Sequence, residues 1–269
     1  MNLQGAVAVV TGGASGIGRA LALRFAREGA RAVVVADLDE PGARRVAREL
    51  TCATPLGAGL DVTDPAAVAA LVDRVEREVG SVDLWCSNAG VALGPDLGSD
   101  EDWHRSFQVH VMAHVNVARS LLPRMAARGR GHLLITASAA GLLTNMDAAA
   151  YSVTKHGSVA LAEWLAIRYG DDGVTVSCLC PQGVRTPMLE REGVGPAVLA
   201  AGGVLDPEDV ADAVVDALAD GRFLILPHPE VAEFERRRAA DRDRWLAGMR
   251  RVRARLRAPD PSTDRRGRS

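Results

Sequence analysis

The stretch TGGASGIG, residues 11–18, follows the apolar run AVAVV and leads into the helical pattern GRALALRFAREG. A glycine-rich turn between a buried strand and a helix brings the backbone close to a ligand. It also leaves the amides of the helix N-terminus available to an anion. In this context the pattern predicts a turn that binds the pyrophosphate of a dinucleotide. Side chains at Gly12, Gly16 and Gly18 would obstruct the approach of the backbone to that pyrophosphate.

The rest of the chain alternates short apolar runs with segments of helical periodicity. The runs that read as strands buried on both faces are AVAVVTGG, RAVVVAD, PLGAGLDV, VDLWCSNAG, GHLLITAS, VTVSCLCP and FLILP. This alternation predicts an α/β fold of the Rossmann type: a doubly wound, seven-stranded, mostly parallel sheet with helices on both faces, in a single domain. The predicted catalytic domain covers residues 1–229, with a lid or substrate loop at about 187–205.

The C-terminal end has a different composition. Residues 230–269 contain 13 arginines and 7 acidic residues, a net charge of +6. We interpret 230–257 as one amphipathic helix of the same domain that packs or pairs subunits, followed by a disordered tail over 258–269. An anion-binding arm is the alternative, although acidic residues are interspersed along the helix.

Composition limits the classes of partner. The net charge of −2 gives no reason to expect nucleic acid or an anionic membrane. The N-terminus lacks the pattern of a signal peptide, and no apolar run approaches the roughly 18 residues of a membrane span. We therefore expect a cytoplasmic protein with a small-molecule substrate. Four cysteines are too few for a disulfide framework, and Cys178 and Cys180 read as core thiols.

A carboxylate at the end of the second predicted strand indicates which dinucleotide binds. Asp37 lies 19 residues after Gly18, where it can accept hydrogen bonds from an adenosine ribose diol and would repel a 2′-phosphate. Its neighbour Leu38 supplies no cation. The sequence therefore favours NAD over NADP.

Three further residues form a candidate acid/base set. Tyr151 and Lys155 are four residues apart and share a helix face, and Ser138 ends a predicted strand. A free tyrosine has a pKa of about 10 and is a poor base at neutral pH. Lowering that pKa to near 7 requires on the order of 4 kcal/mol of stabilisation, which a nearby ammonium can supply. Tyr151 could then exchange a proton with a substrate hydroxyl or carbonyl, while Ser138 binds the same oxygen.

These residues resemble the motifs of the classical short-chain dehydrogenase/reductase (SDR) family, and the resemblance runs from about residue 7 to 227. TGGASGIG is similar to its T-G-x-x-x-G-I-G, SNAG (87–90) to its N-N-A-G, and PQGVRTPM (181–188) to its P-G-x-V-x-T-P-M. Ser138, Tyr151 and Lys155 have its S-x12-Y-x3-K spacing. Ser87 and Gln182 depart from the family pattern.

The resemblance implies a set of cofactor contacts and an assembly. Asp61 and Val62 would contact adenine, Lys155 would also hold the nicotinamide ribose, and Val184 and Thr186 would meet the carboxamide. The remaining implied contacts are Ser15, Ile17, Leu38, Asn88, Ala89, Gly90, Tyr151 and Pro181. It also implies a homodimer or homotetramer built on helices 102–125 and 150–169.

His110 stands where the resemblance places a catalytic asparagine, counted from Trp103 and from Pro123. In the family that asparagine holds a water that links the active-site lysine to solvent. A neutral imidazole can donate and accept hydrogen bonds, so we expect His110 to serve as this relay and to titrate near pH 6.5. His114 shares its helix face, but no third ligand has suitable spacing, so we predict no metal site and a packed histidine at 114.

The sequence thus predicts an NAD-dependent oxidoreductase that interconverts a secondary alcohol and a ketone. The expected pocket walls, 141–149 and 187–205, are mostly apolar with few fixed charges, which favours a moderately bulky apolar substrate. Two alternatives remain: an NAD-binding regulatory or scaffold protein with weakened catalysis, and an NADP-dependent ketone reductase.

Overall fold

The computed structural model describes residues 1–192 and 203–257 of the 269-residue chain. Its strands are β1 (Val7–Thr11), β2 (Ala32–Asp37), β3 (Thr54–Gly59), β4 (Leu84–Ser87), β5 (Gly131–Thr136), β6 (Val174–Leu179), β7 (Gly183–Val184), β8 (Val204–Leu205) and β9 (Leu224–Ile225). Its α-helices are α1 (Gly16–Arg27), α2 (Glu40–Glu49), α3 (Pro65–Glu78), α4 (Asp100–Phe107), α5 (Ala113–Ala127), α6 (Ala140–Leu143), α7 (Ala149–Tyr169), α8 (Pro187–Glu192), α9 (Pro207–Asp220), α10 (Glu230–Ala240) and α11 (Arg242–Arg257). The predicted tail and residues 193–202 of the predicted lid lie outside the described residues.

Seven strands form one sheet in the order β3-β2-β1-β4-β5-β6-β9, and every neighbouring pair is parallel. All five residues of β1 are buried, because helices pack on both faces of the sheet and form one hydrophobic core on each side. The predicted seven-stranded Rossmann architecture is confirmed. The strand order reverses direction at β1, where parallel α/β sheets open a crevice at the carboxyl ends of their strands.

The segment predicted as one long helix contains a change of helix type. The helix α4 begins with a capping box between Ser99 and Asp102. It continues into a π-helix over Gln108–Met112 and then into α5. Single π-helical turns inside α-helices are often found at functional sites, and here the turn carries His110.

The C-terminal segment forms two helices, so the prediction of a single helix over 230–257 was wrong. The chain breaks at Asp241, whose backbone is extended (φ −151°, ψ 94°). The side chain of Asp241 accepts a hydrogen bond from the amide of Arg244 at 2.9 Å, which caps the start of α11.

Two features complete the description. The two-residue strands β7 and β8 form a small parallel sheet that was not predicted, because two residues are too few to show any periodicity. None of the helices within the described ranges combines the length and apolarity needed to cross a bilayer.

Candidate active site

A continuous cleft of about 1800 Å³ opens at the carboxyl ends of the central strands. The four predicted catalytic residues, Ser138, Tyr151, Lys155 and His110, all line it. It is also lined by every predicted cofactor residue except Gly18, namely Gly12, Ser15, Gly16, Ile17, Asp37, Leu38, Asp61, Val62, Asn88, Ala89, Gly90, Tyr151, Lys155, Pro181, Val184 and Thr186. Single-ligand pockets are typically roughly 300–1,000 Å³, so this cleft has room for a dinucleotide and a second molecule.

The glycines of the first turn are required by the protein's own packing as well as by a ligand. Gly12 has φ +64°, and a Cβ there would lie 2.9 Å from Cα of Ala89. A Cβ at Gly18 would overlap the carbonyl oxygen of Gly12, which explains why Gly18 packs under the turn rather than facing the cleft. The turn is therefore a tight backbone cradle at the start of α1, and it fits a pyrophosphate.

The adenosine end of the cleft carries two fixed carboxylates. Asp37 accepts hydrogen bonds from the amides of Ala14 and Asp39, both at 3.0 Å, which hold its carboxylate at the end of β2. The adjacent Leu38 is 72% exposed. Asp61 accepts from the amide and hydroxyl of Thr63 at 2.9 and 2.7 Å. Among the described residues no arginine or lysine forms an ion pair with Asp37, and the nearby Arg45 pairs with Asp39 at 3.5 Å.

Buried hydrogen bonds join the loops on either side of the turn. The hydroxyl of Thr11 accepts from the amides of Asn88 and Ala89 at 2.9 and 3.2 Å. The Asn88 side chain donates to the Thr11 carbonyl at 3.1 Å and accepts from the Thr136 hydroxyl at 3.1 Å. Asn88 thus ties β1, β4 and β5 together at their carboxyl ends. This gives its amide a structural role beside the predicted cofactor contact.

The predicted acid/base residues meet at the centre of the cleft. Lys155 is buried, its Nζ donates to the carbonyl of Thr136 at 2.9 Å, and the same nitrogen lies 5.8 Å from the ring centroid of Tyr151. Burial lowers the pKa of the Lys155 ammonium to about 8, against an opposing effect of the thiols of Cys180 and Cys178. The lysine is still mostly charged at neutral pH, close enough to favour a phenolate.

Ser138 is positioned to donate its proton. Its Oγ accepts a hydrogen bond from the amide of Ala140 at 3.1 Å, at the start of α6. Because that bond uses a lone pair and not the hydroxyl hydrogen, the Ser138 hydroxyl can still donate to a ligand oxygen in the cleft.

His110 is fully buried, and both of its ring nitrogens have protein partners. The amide of Val91 donates to Nε2 at 3.1 Å, and Nδ1 lies 2.9 Å from Oγ1 of Thr154. The Thr154 hydroxyl donates to the Ala150 carbonyl at 2.7 Å, so it accepts from Nδ1, and the ring is the neutral tautomer protonated on Nδ1. The ring meets the Tyr151 ring edge-on, with centroids 5.4 Å apart.

This environment contradicts the expected titration of His110. Burial, reinforced by the positive charge of Lys155, lowers the pKa of the His110 ring to about 2. The expectation of titration near pH 6.5 was therefore wrong, because the ring has exchanged water for two neutral partners. The relay role itself stays a prediction.

His114 is buried beside Ser87, one of the two departures from the family pattern. The Ser87 hydroxyl lies 2.6 Å from Nδ1 of His114, and burial lowers the pKa of that ring to about 3. The prediction of a packed, hydrogen-bonded histidine at this position is confirmed. Over residues 1–192 and 203–257, the structure brings together no group of three or more His, Cys, Asp or Glu that could hold a metal ion.

The loop after β6 accommodates the second departure, Gln182. This residue is not among those with positive φ, so its backbone does not require glycine. The Gln182 amide donates to Nδ1 of the buried His228 at 3.2 Å, which fixes the loop. Thr186 accepts from the amide of Leu189 at 3.3 Å, and β7 holds Val184 at the cleft wall.

One wall of the cleft and one anchoring residue were not predicted from the sequence. Helices α10 and α11 line the cleft with Phe234, Trp245, Met249 and several arginines, and so add a charged wall beyond the two stretches, 141–149 and 187–205, that were predicted as pocket walls. The amphipathic pattern identified an apolar face, but no local signal indicated what it covers. Thr154, the hydrogen-bond partner of His110, lies 44 residues after it in the chain, and no sequence pattern indicated that the two residues meet.

Comparisons with known proteins agree with this geometry. The family model described as short chain dehydrogenase matches residues 6–195. A protein of Streptomyces exfoliatus, 1-deoxy-11-beta-hydroxypentalenate dehydrogenase, is 42% identical over 241 residues, 86% of each chain. Oxidoreductase UcpA of Escherichia coli K12 is 33% identical over 259 residues, 93% of each chain. A crystal structure of a short chain dehydrogenase/reductase SDR from Burkholderia phymatum in complex with NAD is similar with a TM-score of 0.81 at 35% identity, covering 90% of this chain and 96% of that one.

Proposed function

The chain belongs to the short chain dehydrogenase family, and from this premise we propose that it is an NAD-dependent oxidoreductase that interconverts a secondary alcohol and a ketone. The observation that carries the proposal is the meeting of Ser138, Tyr151 and Lys155 in one cleft with the glycine turn. Relatives named as dehydrogenases and oxidoreductases support action on a CH–OH group.

The cofactor site has two features, a cradle that suits either dinucleotide and a carboxylate that favours NAD over NADP. The turn at Gly12 offers a backbone cradle to a pyrophosphate. The Asp37 carboxylate is held by two backbone amides and forms no ion pair with a described residue, so it suits a ribose diol and opposes a phosphate. The Burkholderia phymatum relative was crystallised with NAD, which is consistent with this preference. When bound, the cofactor supplies the hydride acceptor or donor.

The residues of the chain divide the proton chemistry among them. Ser138 donates a hydrogen bond to the substrate oxygen and orients it. The Tyr151 phenolate takes the proton of an alcohol, and in the reverse direction the Tyr151 phenol returns that proton to the ketone oxygen. Lys155 favours the phenolate through its charge, and its burial strengthens that interaction because less water screens it.

His110 remains in the proposal as a residue that acts through its neighbours. Its ring packs edge-on against the ring of Tyr151 and is itself held by hydrogen bonds to Val91 and Thr154, so it restricts the position of the tyrosine ring. Participation as the proton relay requires one of these two bonds to open.

We propose a moderately bulky, apolar small molecule as the substrate, because Leu143, Met146 and Met188 line the cleft beside Tyr151 and Ser138. We also propose assembly as a homodimer or homotetramer.

The assembly proposal rests on large apolar side chains that are exposed on α4 and α7. They are Phe107, Val153, Trp164 and Ile167, of which Ile167 is 84% exposed. Several large exposed apolar side chains on two helices favour an interface between copies of the chain. Sedimentation analysis of the purified protein tests this: a monomer at micromolar concentration would exclude it.

The test of function is an activity screen on purified protein. A hydroxysteroid, menthol and 1-phenylethanol are each mixed with NAD or NADP, and cofactor reduction is followed by nicotinamide absorbance. We expect NAD-linked oxidation of at least one bulky alcohol, with NADP less effective. Tight NAD binding without any turnover would favour the regulatory or scaffold alternative, and higher activity with NADP would favour the NADP-dependent reductase.

A further inference from the structure

The part of the cleft away from the ends of β2 and β3 carries an excess of positive charge. Away from the carboxylates at the ends of β2 and β3, the arginines that line it are Arg105, Arg191, Arg237, Arg244, Arg251 and Arg255. The acidic residues lining the same part are Glu101, Asp147 and Asp241. Six guanidinium groups thus face three carboxylates, in a chain whose overall net charge is −2.

Most of these arginines have no internal anion to neutralise them. Arg237 pairs with Glu233 at 2.7 Å, and Arg191 donates to the carbonyl of Pro187 at 3.0 Å. Within the part of the chain that the structure describes, Arg244, Arg251 and Arg255 form no ion pair with any carboxylate.

The same face of α11 is apolar between these arginines. Trp245, Met249 and Val252 recur at helical spacing and line the cleft, so they form one stripe with Arg244 and Arg255 near its two ends. Gly248 lies in the middle of this stripe. A Cβ there would approach only the guanidinium of Arg251, at 3.8 Å, so the glycine leaves open space over the cleft.

Contacts outside the cleft hold this wall in place. Arg253 pairs with Asp96 at 3.6 Å and so joins α11 to the loop before α4. The ring of Trp245 lies 6.4 Å from that of Phe234, which packs α11 on α10. Arg238 lies 3.3 Å from Nε2 of His156 and joins α10 to α7, the helix that carries Tyr151. The arginines are therefore carried by helices that contact α7 and the loop before α4.

We propose that the substrate is an apolar alcohol or ketone that also carries a carboxylate, and that Arg244 and Arg251 of α11 bind this carboxylate while the stripe of Trp245 and Met249 covers the apolar body. The inference rests on the proposed function, because it names the substrate class of the same site. Guanidinium groups bind carboxylates through paired charge-assisted hydrogen bonds, and Arg244 and Arg251, seven residues apart, share one face of the helix.

Binding and turnover of one matched pair of ligands test the proposal. The probes are 4-oxoadamantane-1-carboxylate and its methyl ester, which share the cage and the ketone and differ in charge. Calorimetric titration in the presence of NAD measures binding without turnover, and NADH consumption measures turnover. We expect the acid to bind at least about tenfold more tightly than the ester, as the loss of one charge-assisted bond would predict. Added salt should reduce that preference.

Two double variants of α11 locate the effect. Arg244→Met/Arg251→Met should remove most of the preference for the acid and leave ester binding within about twofold of wild type, since methionine keeps the length and helix propensity of the side chain. The control Arg242→Met/Arg250→Met changes the net charge equally on the same helix. All four arginines are exposed, but only Arg244 and Arg251 line the cleft. The control should keep the wild-type preference.

Equal affinity for acid and ester in the wild type, or absence of binding by both, would overturn the inference. So would an equal loss of preference in the two double variants, because it would reflect net charge rather than a site. These readouts do not depend on turnover. If acid-selective binding requires Arg244 and Arg251 but no hydride is transferred, the proposed function fails and the binding site stands.

Discussion

The buried, neutral state of His110 makes the stability of the protein depend on pH. Its folded-state pKa of about 2 lies below the value of about 6.5 for an exposed histidine. The contribution of His110 to the free energy of unfolding is therefore fully present above pH 6.5 and is lost as the pH falls towards 2. Over this range the unfolded chain binds a proton at His110 and the folded chain does not. At pH 5.5 an unfolded histidine is about ten parts protonated to one part neutral, which lowers the free energy of unfolding by about 1.4 kcal/mol.

Replacing His110 with asparagine should remove the part of the pH dependence of the free energy of unfolding that comes from this ring. Urea denaturation at pH 7.5 and 5.5, at one protein concentration, gives the change in the free energy of unfolding for wild type and for His110→Asn. The variant should lose about 1.4 kcal/mol less than wild type between the two pH values. His114 and His132, whose pKa values burial lowers to about 3, continue to contribute in both proteins. An identical fall in wild type and His110→Asn would refute a buried neutral ring.

Three other perturbations have defined outcomes. The pKa of Lys155 is about 8, so the lysine loses its charge above that pH, and kcat/KM for alcohol oxidation should stop rising and decline there. Lys155→Arg keeps the charge and should shift this decline to higher pH in a pH–rate profile. Asp37→Asn should weaken NAD binding about tenfold and strengthen NADP binding, as measured by fluorescence titration; unchanged affinities would exclude the carboxylate as the selector. Gly18→Ala should lower the free energy of unfolding by about 1–3 kcal/mol, measured by heat or urea, and impair cofactor binding, because the added Cβ overlaps the Gly12 carbonyl. The control Gly170→Ala should be tolerated, because no atom lies within 4 Å of its Cβ.

The sheet could be predicted because its signal is local. Each central strand is a continuous apolar run, as in β1 and β2, since both faces are covered by helices, and a turn residue ends each run. The break at Asp241 could not be predicted with the same ease. An aspartate within a helical pattern is compatible with an exposed position, and only the capping of Arg244 shows that it starts a new helix.

The composition of the site was predictable, but its hydrogen bonding was not. Tyr151 and Lys155 lie four residues apart on one helix, so their spacing alone predicts that their side chains share one face of it. The state of His110 depends on Val91 and Thr154, which come from other elements and meet it only in the folded chain. The arginine wall was missed for the same reason, because the sequence shows that α11 is amphipathic without showing that it covers the cleft.

The central claim is that Tyr151 exchanges the proton of the substrate hydroxyl. The most direct test compares Tyr151→Phe with wild type on a substrate identified in the NAD-linked screen, with NAD binding measured in parallel. The account predicts a loss of kcat of about 10²–10⁴-fold, the range typical of a positioned general acid or base, in a variant that still binds NAD. A kcat close to that of wild type would contradict it.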